Sequence, residues 1–466
     1  MALSFRFNRI GKIALRLGTA LGAALLGACA TYKPLPLNNH PASPQGLGDI
    51  EVDTRSLPFP ALRAYHFNPA DGLDMTEVAI LAVVNNPDLK LVRDDLGVSR
   101  AQAFAAHLLP DPQISLSRDY PQGGQPGTTT ATSVGLGYDL NALITHAAGA
   151  DAADAEARKT DLNLLWQEWQ VIAKARVLFS QVMSEGSQLH WLTQNRDLLA
   201  RQYRQSAQAL KDGNVTADTA NAALIAWHDA RRQVNDMQRQ LLASRQNLND
   251  LLGLAPSAQL QLVAGAPLAL PDAAEAEAAL RNLAERRPDL LALKAGYQAQ
   301  DARYRQAILA QFPPLNLSLN RSSDTSAIVT RGFAIASILP LLDGNRGNIR
   351  IEKATRKRLH DDYEQRLTAA RNGVEHLLAN NRLLAQQLES AQAALPELDS
   401  VAANAHKALQ AGSLDWAGYV GYASAAISAH VEVENLKQTL LEGRIQLLTL
   451  LGGEFPAVKP DVEKKS

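Results

Sequence analysis

An internal repeat is the feature that constrains this chain most. The sequence NNPDLK at 85–90 returns as RRPDLL at 286–291, which is 201 residues later. PQISLS at 112–117 returns as PPLNLS at 313–318 with the same spacing, and the LKDG at 210–213 returns as LQAG after 199 residues. Solenoid repeats are far shorter than this. The sequence therefore predicts two copies of one unit of about 200 residues.

Each copy shows the same order of predicted elements. Two helices meet at a proline, Pro87 or Pro288, and two strand-like runs follow. A very long helix comes next, at about 151–212 or 348–411, and a glycine turn leads into a last helix at 216–252 or 414–451. Both long helices carry a seam with alternating spacings of three and four, typical of coiled-coil packing, with one polar residue in each. The seams are Leu162, Leu165, Trp169, Ile172, Arg176, Phe179 and Met183, and Val374, Leu377, Asn381, Leu384, Leu388, Ala391, Leu395 and Leu398.

The four strand-like runs lie at about 112–120, 131–140, 313–322 and 328–339. Each is close to the 9–11 residues that a tilted strand needs to cross a bilayer. Apolar residues alternate with polar or small ones, which is typical of a membrane barrel with its apolar side outward. The residues predicted to face lipid are Ile114, Leu116, Val134, Leu136, Leu315, Leu317, Leu319, Phe333 and Ile335.

Four strands are too few for a barrel, since the smallest known barrels have eight. Open strand edges do not survive in lipid. If these strands span a membrane, several chains must therefore share one barrel. A soluble four-stranded sheet packed on helices stays open as the alternative.

The N-terminus predicts export and lipid attachment. A basic start precedes a short apolar run at 17–26, as in a secretory signal peptide. The run ends in LGAC, which resembles a bacterial lipobox with Cys29, the single cysteine of the chain, as the acylated residue. By that resemblance Ala30, rather than an aspartate, implies the outer membrane. An ordinary signal peptide with a chance cysteine is the alternative.

These patterns divide the chain into six parts. A signal peptide covers 1–28, and a proline-rich tether, expected to be extended, covers 29–72. Repeat 1 covers 73–254, a linker 255–272, repeat 2 273–453 and a C-terminal tail 454–466.

Several function classes are not supported. Basic and acidic residues balance at 46 to 47, so charge gives no reason to expect nucleic-acid binding. No nucleotide-binding, hydrolase or zinc motif occurs, and Glu375-His376 lacks the second histidine of a zinc helix. We therefore expect no enzyme activity, no metal site and no cofactor.

Several motifs in order resemble the TolC-like outer membrane efflux family. They are NPDL after a first helix, PQISLS after LLPD, LPLLDGNRGN before the second long helix, the two glycine turns LKDGNVTADT and LQAGSLDWAG, and LLG at the end of each copy. The resemblance covers about 73–453.

The resemblance implies a mainly α protein with a small β part, in which a homotrimer forms a twelve-stranded outer membrane barrel and a periplasmic α-barrel. It implies the exit duct of a tripartite efflux pump, with passive passage and with an inner-membrane pump and a periplasmic adaptor as partners. It also places the closed entrance and the adaptor contact at the glycine turns: Lys211, Asp212, Gly213, Asn214, Gln410, Ala411, Gly412 and Ser413.

One departure concerns these turns. Family members often carry an acidic residue six positions after the glycine, where this chain has Thr219 and Gly418. The alternative function is a lipid-anchored periplasmic coiled-coil adaptor or structural protein without a pore.

Overall fold

A computed structural model describes residues 32–39, 44–123, 127–265, 273–338, 340 and 342–452. The chain divides into a unit of residues 1–43 and a unit of residues 44–466. In the first unit, residues 32–39 have no regular secondary structure. All helices and strands of the described chain belong to the second unit.

The second unit contains the same element order twice. Short 3₁₀ turns at Leu47–Asp49 and Thr54–Ser56 come first. The first series is α1 (Pro60–Arg63), α2 (Met75–Asn85), α3 (Pro87–Ala106), β1 (Gln113–Asp119), β2 (Ala131–Asp139), α4 (Leu140–Lys211) and α5 (Ala217–Leu251). The second is α6 (Ala273–Arg281), α7 (Leu283–Arg286), α8 (Pro288–Leu309), β3 (Leu315–Ser323), β4 (Val329–Ser337), α9 (Arg346–Gln410) and α10 (Trp416–Leu451).

The two prolines begin helices. Pro87 and Pro288 are the first residues of α3 and α8. The N–H of the first residue of a helix has no partner within the helix, so proline, which has no N–H, fits this position. Asn86 caps α3 by accepting the Leu89 N–H at 2.9 Å. A proline there separates two helices and fixes the direction of the second.

The repeat extends to individual contacts. Asn85, just before the first proline, donates to the Leu252 carbonyl at the end of α5 at 2.7 Å. Arg286, at the corresponding place in the second copy, donates to the Gly452 carbonyl at the end of α10 at 3.4 Å. In both copies the residues before the proline hold the end of the last helix.

The long helix α4 is the central element. Its 72 residues give a length of about 108 Å at 1.5 Å per residue. It packs against α2, α3, α5, α8 and α10. It begins eleven residues earlier than the sequence predicts, because the Asp139 side chain caps it by accepting the N–H groups of Asn141 and Ala142.

The predicted seams face inward except at Met183, which is 37% exposed. In α4, Leu162, Trp169, Ile172, Arg176 and Phe179 are buried. In α9, Val374 is buried and the other seven seam residues are partly buried, while most residues between them are exposed.

The core of the first copy lies midway along α4 and against the end of α5. In this copy, Phe59 packs against Trp169 with the rings tilted by 33° and their centroids 5.5 Å apart, beside Leu57 and Leu62. The predicted tether at 29–72 is therefore too long, because from Pro44 onward this segment belongs to the helical body. The predicted linker also packs in part, since Leu262 forms a bridge with Leu73.

The four strands form one sheet in the order β1-β2-β3-β4, with every pair antiparallel. Each strand of a hairpin connects to a helix at the same end of the sheet, so both hairpin turns lie at the opposite end. Among the described residues, no helix combines the length and the apolar character that a membrane crossing requires.

Candidate functional site: a two-faced sheet and two exposed turns

The strand register produces an apolar face. Residues directly opposite each other in a ladder share a face. One row across the sheet is Ile114, Leu136, Leu319 and Phe333, and the next is Tyr138, Leu317 and Ile335. All nine residues that the sequence predicts to face lipid lie on this face. Ile114, Leu116 and Phe333 are 72%, 75% and 73% exposed in the single chain, so nothing in the described chain covers it.

The opposite face is polar and small. It carries Ser115, Ser117, Gly135, Asn316, Ser318 and Asn320, which alternate with the apolar residues. Gly135 is the crowded point of this face. A Cβ there would lie 2.6 Å from Asn320 Oδ1 and closer still to Ser115 Oγ. Glycine therefore lets the neighbouring polar side chains approach each other across β2.

The two outer edges of the sheet are unpaired. Within the described chain, β1 pairs only with β2, and β4 pairs only with β3. An edge strand presents a row of free N–H and C=O groups that another strand can pair with. This sheet thus combines an exposed apolar face with two open edges.

The two predicted tips are exposed helix-to-helix turns of the same construction. At the first, Gly213 has φ +73°, and its N–H donates to the Leu210 carbonyl at 3.1 Å while the Asn214 N–H donates to Ala209 at 2.8 Å. This is the Schellman arrangement, which requires a left-handed residue after the helix. At the second, Gly412 also has φ +73° and repeats both bonds. All eight predicted tip residues are exposed.

The turns differ in how the next helix begins. Asp415 caps α10 by accepting the Gly418 N–H at 2.8 Å, and Thr216 caps α5 by accepting the Thr219 N–H at 3.4 Å. Thr219 and Gly418 are the two positions at which the sequence departs from the pattern that the resemblance implies. In this chain their backbone N–H groups serve the caps.

Contacts between the hairpins set the relative position of the turns. Asn195 of α4 accepts from Ser424 of α10 at 2.8 Å, and the Arg201 guanidinium lies 5.8 Å from the Trp416 ring centroid at the start of α10. The helix α4 continues for ten residues beyond Arg201, a distance of about 15 Å. The first turn therefore reaches further along α4 than the level at which α10 begins.

The helical body holds polar contacts away from these surfaces. Arg93 donates to Glu168 Oε1 and to the Val83 carbonyl, both at 2.8 Å. Burial raises the pKa of Glu168, and the hydrogen bond from Arg93 opposes that rise. The hydrogen bond from Tyr65 to Asp74 raises the pKa of Tyr65 to about 12. The contacts of Arg93 join α2, α3 and α4.

Two predictions from the sequence concern other sites. Cys29, the predicted site of lipid attachment, lies outside the described residues. In the part of the chain that the structure describes, no group of three or more acidic, histidine or cysteine side chains is arranged to hold a metal ion.

The sequence prediction missed a basic group on the apolar face. Arg321 and Arg331 face each other in the β3–β4 ladder, and Arg118 lies one same-face row nearer the hairpin turns. The alternation from Leu317 through Leu319 to Arg321 is enough to predict that Arg321 lies on the apolar face. The direct pairing of Arg321 with Arg331 needed the register.

Comparisons with known proteins agree with this geometry. The family model for outer membrane efflux proteins matches residues 79–254 and 279–453. The probable outer membrane lipoprotein SilC of Salmonella typhimurium is 25% identical over 405 residues, which are 80% of this chain and 84% of that protein.

Solved structures share the fold. The CusC crystal structure matches with a TM-score of 0.67 and 19% identity over 91% of this chain and all of that chain. The CmeC outer membrane channel of Campylobacter jejuni matches with a TM-score of 0.70 and 16% identity over 92% of this chain and 96% of that chain. The chain therefore belongs to the outer membrane efflux protein family, and it is an outer membrane channel protein for efflux rather than an enzyme.

Proposed function

We propose that three copies of this chain close one twelve-stranded barrel in the outer membrane and join their helices into a periplasmic duct. The observation that carries the proposal is the four-stranded sheet with one exposed apolar face and two unpaired edges. Such a sheet cannot stand alone in lipid, because every backbone polar group there must be paired. Three copies joined edge to edge leave no open edge and reach a strand number known for barrels.

The two faces of the sheet then have different roles. The nine apolar residues from Ile114 to Ile335 meet lipid, and the serine and asparagine face lines water. Passage is passive, because polar lining groups and pore width decide what passes through such a channel. Energy comes from a separate inner-membrane pump.

The surface of α9 supports assembly through the helices as well. Only Ala370, Val374 and Ala405 are buried among the residues of α9 that the structure describes. Leu383 and Val401 are 53% and 40% exposed. A helix of 65 residues that buries so little within its own chain has apolar surface left for neighbouring copies.

The two exposed turns form the periplasmic entrance and contact the adaptor. This proposal covers Lys211, Asp212, Gly213 and Asn214 in the first turn and Gln410, Ala411, Gly412 and Ser413 in the second. It rests on their exposure and on their position at the ends of the longest helices, opposite the sheet. The reach of the first turn beyond the start of α10 suits it for a contact with a partner along the duct axis.

Cys29 carries the lipid anchor in the outer membrane, and the segment before Pro44 joins that anchor to the body. We propose the division into repeat 1 at 73–254 and repeat 2 at 273–453. The matching contacts of Asn85 and Arg286 with the helix ends support it.

Conductance in planar bilayers tests the duct. Protein from outer membrane fractions is expected to run as a heat-modifiable trimer and to insert with discrete conductance steps. A protein that is monomeric and becomes soluble when Cys29 is replaced, and that gives no conductance, contradicts the proposal.

A photo-crosslinking amino acid at Asn214 tests the tip in cells. We expect a crosslink to a periplasmic adaptor, identified by mass spectrometry. The matched control is the same amino acid at Glu397, which is exposed on α9 about four turns before its end. Equal crosslinking to the adaptor from both positions contradicts a specific role of the turn.

A further inference from the structure

The apolar face of the sheet ends in arginines on the side of the hairpin turns. Going toward those turns from the row of Leu136 and Leu319, the next same-face row contains Val134, Arg321 and Arg331. Both arginines are exposed. Arg118 follows one row further out on β1 and lies with its guanidinium 5.3 Å from the Tyr120 ring centroid.

Arg321 and Arg331 are an unfavourable pair as they stand. They are direct ladder partners, which places their Cβ atoms about 4.5–5.5 Å apart, and like charges in this position destabilise a sheet. Within the part of the chain that the structure describes, no carboxylate forms an ion pair with either of them. Asp119 lies on the opposite face of β1, and Asp324 accepts the backbone N–H groups of Ser326 and Ile328. The two guanidinium groups therefore lack a counter-ion among the described residues.

The surroundings of the pair are apolar on one side. A shallow groove of about 400 Å³ is lined by both arginines and by Ile114, Val134, Leu136 and Leu319. An anion that fits this groove has a charged end for the guanidinium groups and a hydrocarbon part for the leucines. Guanidinium groups bind phosphate through two parallel N–H bonds.

We propose that Arg321 and Arg331 bind the phosphate of a phosphorylated lipid in the outer leaflet, with an acyl chain lying along Leu136 and Leu319. The inference rests on the proposed function, since it requires the apolar face to meet lipid with the hairpin turns on the outer side. The phosphate bridges two like charges that otherwise repel each other. The lipid thereby becomes part of what stabilises the assembled barrel.

Thermal dissociation of the purified trimer in detergent tests the site. Lipid A is the probe, and dephosphorylated lipid A and inorganic phosphate are the comparison ligands. The wild-type trimer is expected to dissociate at a higher temperature as lipid A is added. The concentration for half of the effect is expected to rise at least tenfold in the Arg321→Gln/Arg331→Gln variant. The dephosphorylated lipid and inorganic phosphate are expected to give no comparable shift.

The Arg350→Gln/Arg358→Gln variant is the matched control, because both arginines are exposed on α9 and removing them changes net charge equally. It is expected to respond like the wild type. A second variant, Arg321→Lys/Arg331→Lys, keeps the charge but loses the paired N–H geometry, and we expect an intermediate response.

Three results overturn the proposal: an unchanged lipid A response in the glutamine variant, an equal loss in the α9 control, or an equal shift with the dephosphorylated lipid. Bilayer conductance separates this question from the proposed function. Conducting trimers that fail the lipid test reject the lipid site alone, whereas a wild-type protein that forms no conducting trimers rejects the duct and with it the site.

Discussion

Leu317→Arg places a charge in the middle of the apolar face. Leu317 pairs with Tyr138 on one side and Ile335 on the other. Its row lies between the row of Leu319 and the row of Leu315, so it is an interior row of the apolar face. If this face meets lipid, the arginine lies near the middle of the hydrocarbon layer.

The expected cost follows from position and symmetry. An arginine on the lipid face near the midplane of a barrel costs roughly 2–4 kcal/mol. Three copies on separate parts of the barrel contribute independently, which gives about 6–12 kcal/mol per trimer. Because about 1.4 kcal/mol is a factor of ten, the assembly constant is expected to fall by roughly four orders of magnitude or more.

Ser318→Arg is the matched control. Ser318 is the next residue on the same strand, on the opposite face, and its ladder partners are the small residues Gly137 and Ala334. An arginine there has room and projects toward water in the proposed barrel.

The assay is the amount of heat-modifiable trimer in outer membrane fractions at equal synthesis. We expect little or no trimer for Leu317→Arg and near wild-type amounts for Ser318→Arg. Normal trimer from Leu317→Arg, or an equal loss from both variants, refutes the assignment of the apolar face to lipid.

Two further predictions concern the helical body. In Gly213→Ala the new methyl group meets no neighbouring atom, but the φ of +73° is left-handed, so we expect destabilisation by about 1–2 kcal/mol. Gly186→Ala inside α4, also free of neighbours, should stabilise the protein by roughly 0.5–1 kcal/mol. Urea unfolding measures both changes, and stabilisation by both contradicts the left-handed conformation at Gly213. The pKa of Glu168 is raised above its ordinary value of 4.5 chiefly by burial. The contribution of this one group to stability is therefore fully present below that value and is lost as pH rises through the raised pKa. Melting temperature measured against pH tests this: Glu168→Gln should remove the fall, and the exposed Glu397→Gln should keep it. An unchanged pH profile in Glu168→Gln contradicts the assignment of the fall to the buried Glu168 carboxylate.

The sequence alone predicts much of the fold, because the repeat and the periodicities are local patterns. The glycine turns at Gly213 and Gly412 and the alternation of the strands need no knowledge of distant contacts. The start of α4 was missed because Gly149 and the alanines around it give little periodic signal, whereas the Asp139 cap decides where the helix begins.

Other features depended on tertiary contacts. The burial of Phe59 against Trp169 cannot be seen in a proline-rich segment, because it results from packing with a helix a hundred residues away. The pairing of Arg321 with Arg331 depends on the register of one hairpin, and a shift by one residue would move either side chain to the other face.

Disulfide crosslinking between the two free edges of the sheet tests the trimeric barrel most directly. A cysteine at Ser117 of β1 is combined in turn with one at Thr330, Gly332 or Ala334 of β4. All four positions lie on the polar face. Each variant with a single added cysteine is the control for disulfides formed with Cys29. Closure by three chains predicts that at least one pair gives a covalent trimer under oxidation and no larger species. Only monomers from every pair, or a ladder that continues beyond three chains, contradicts it.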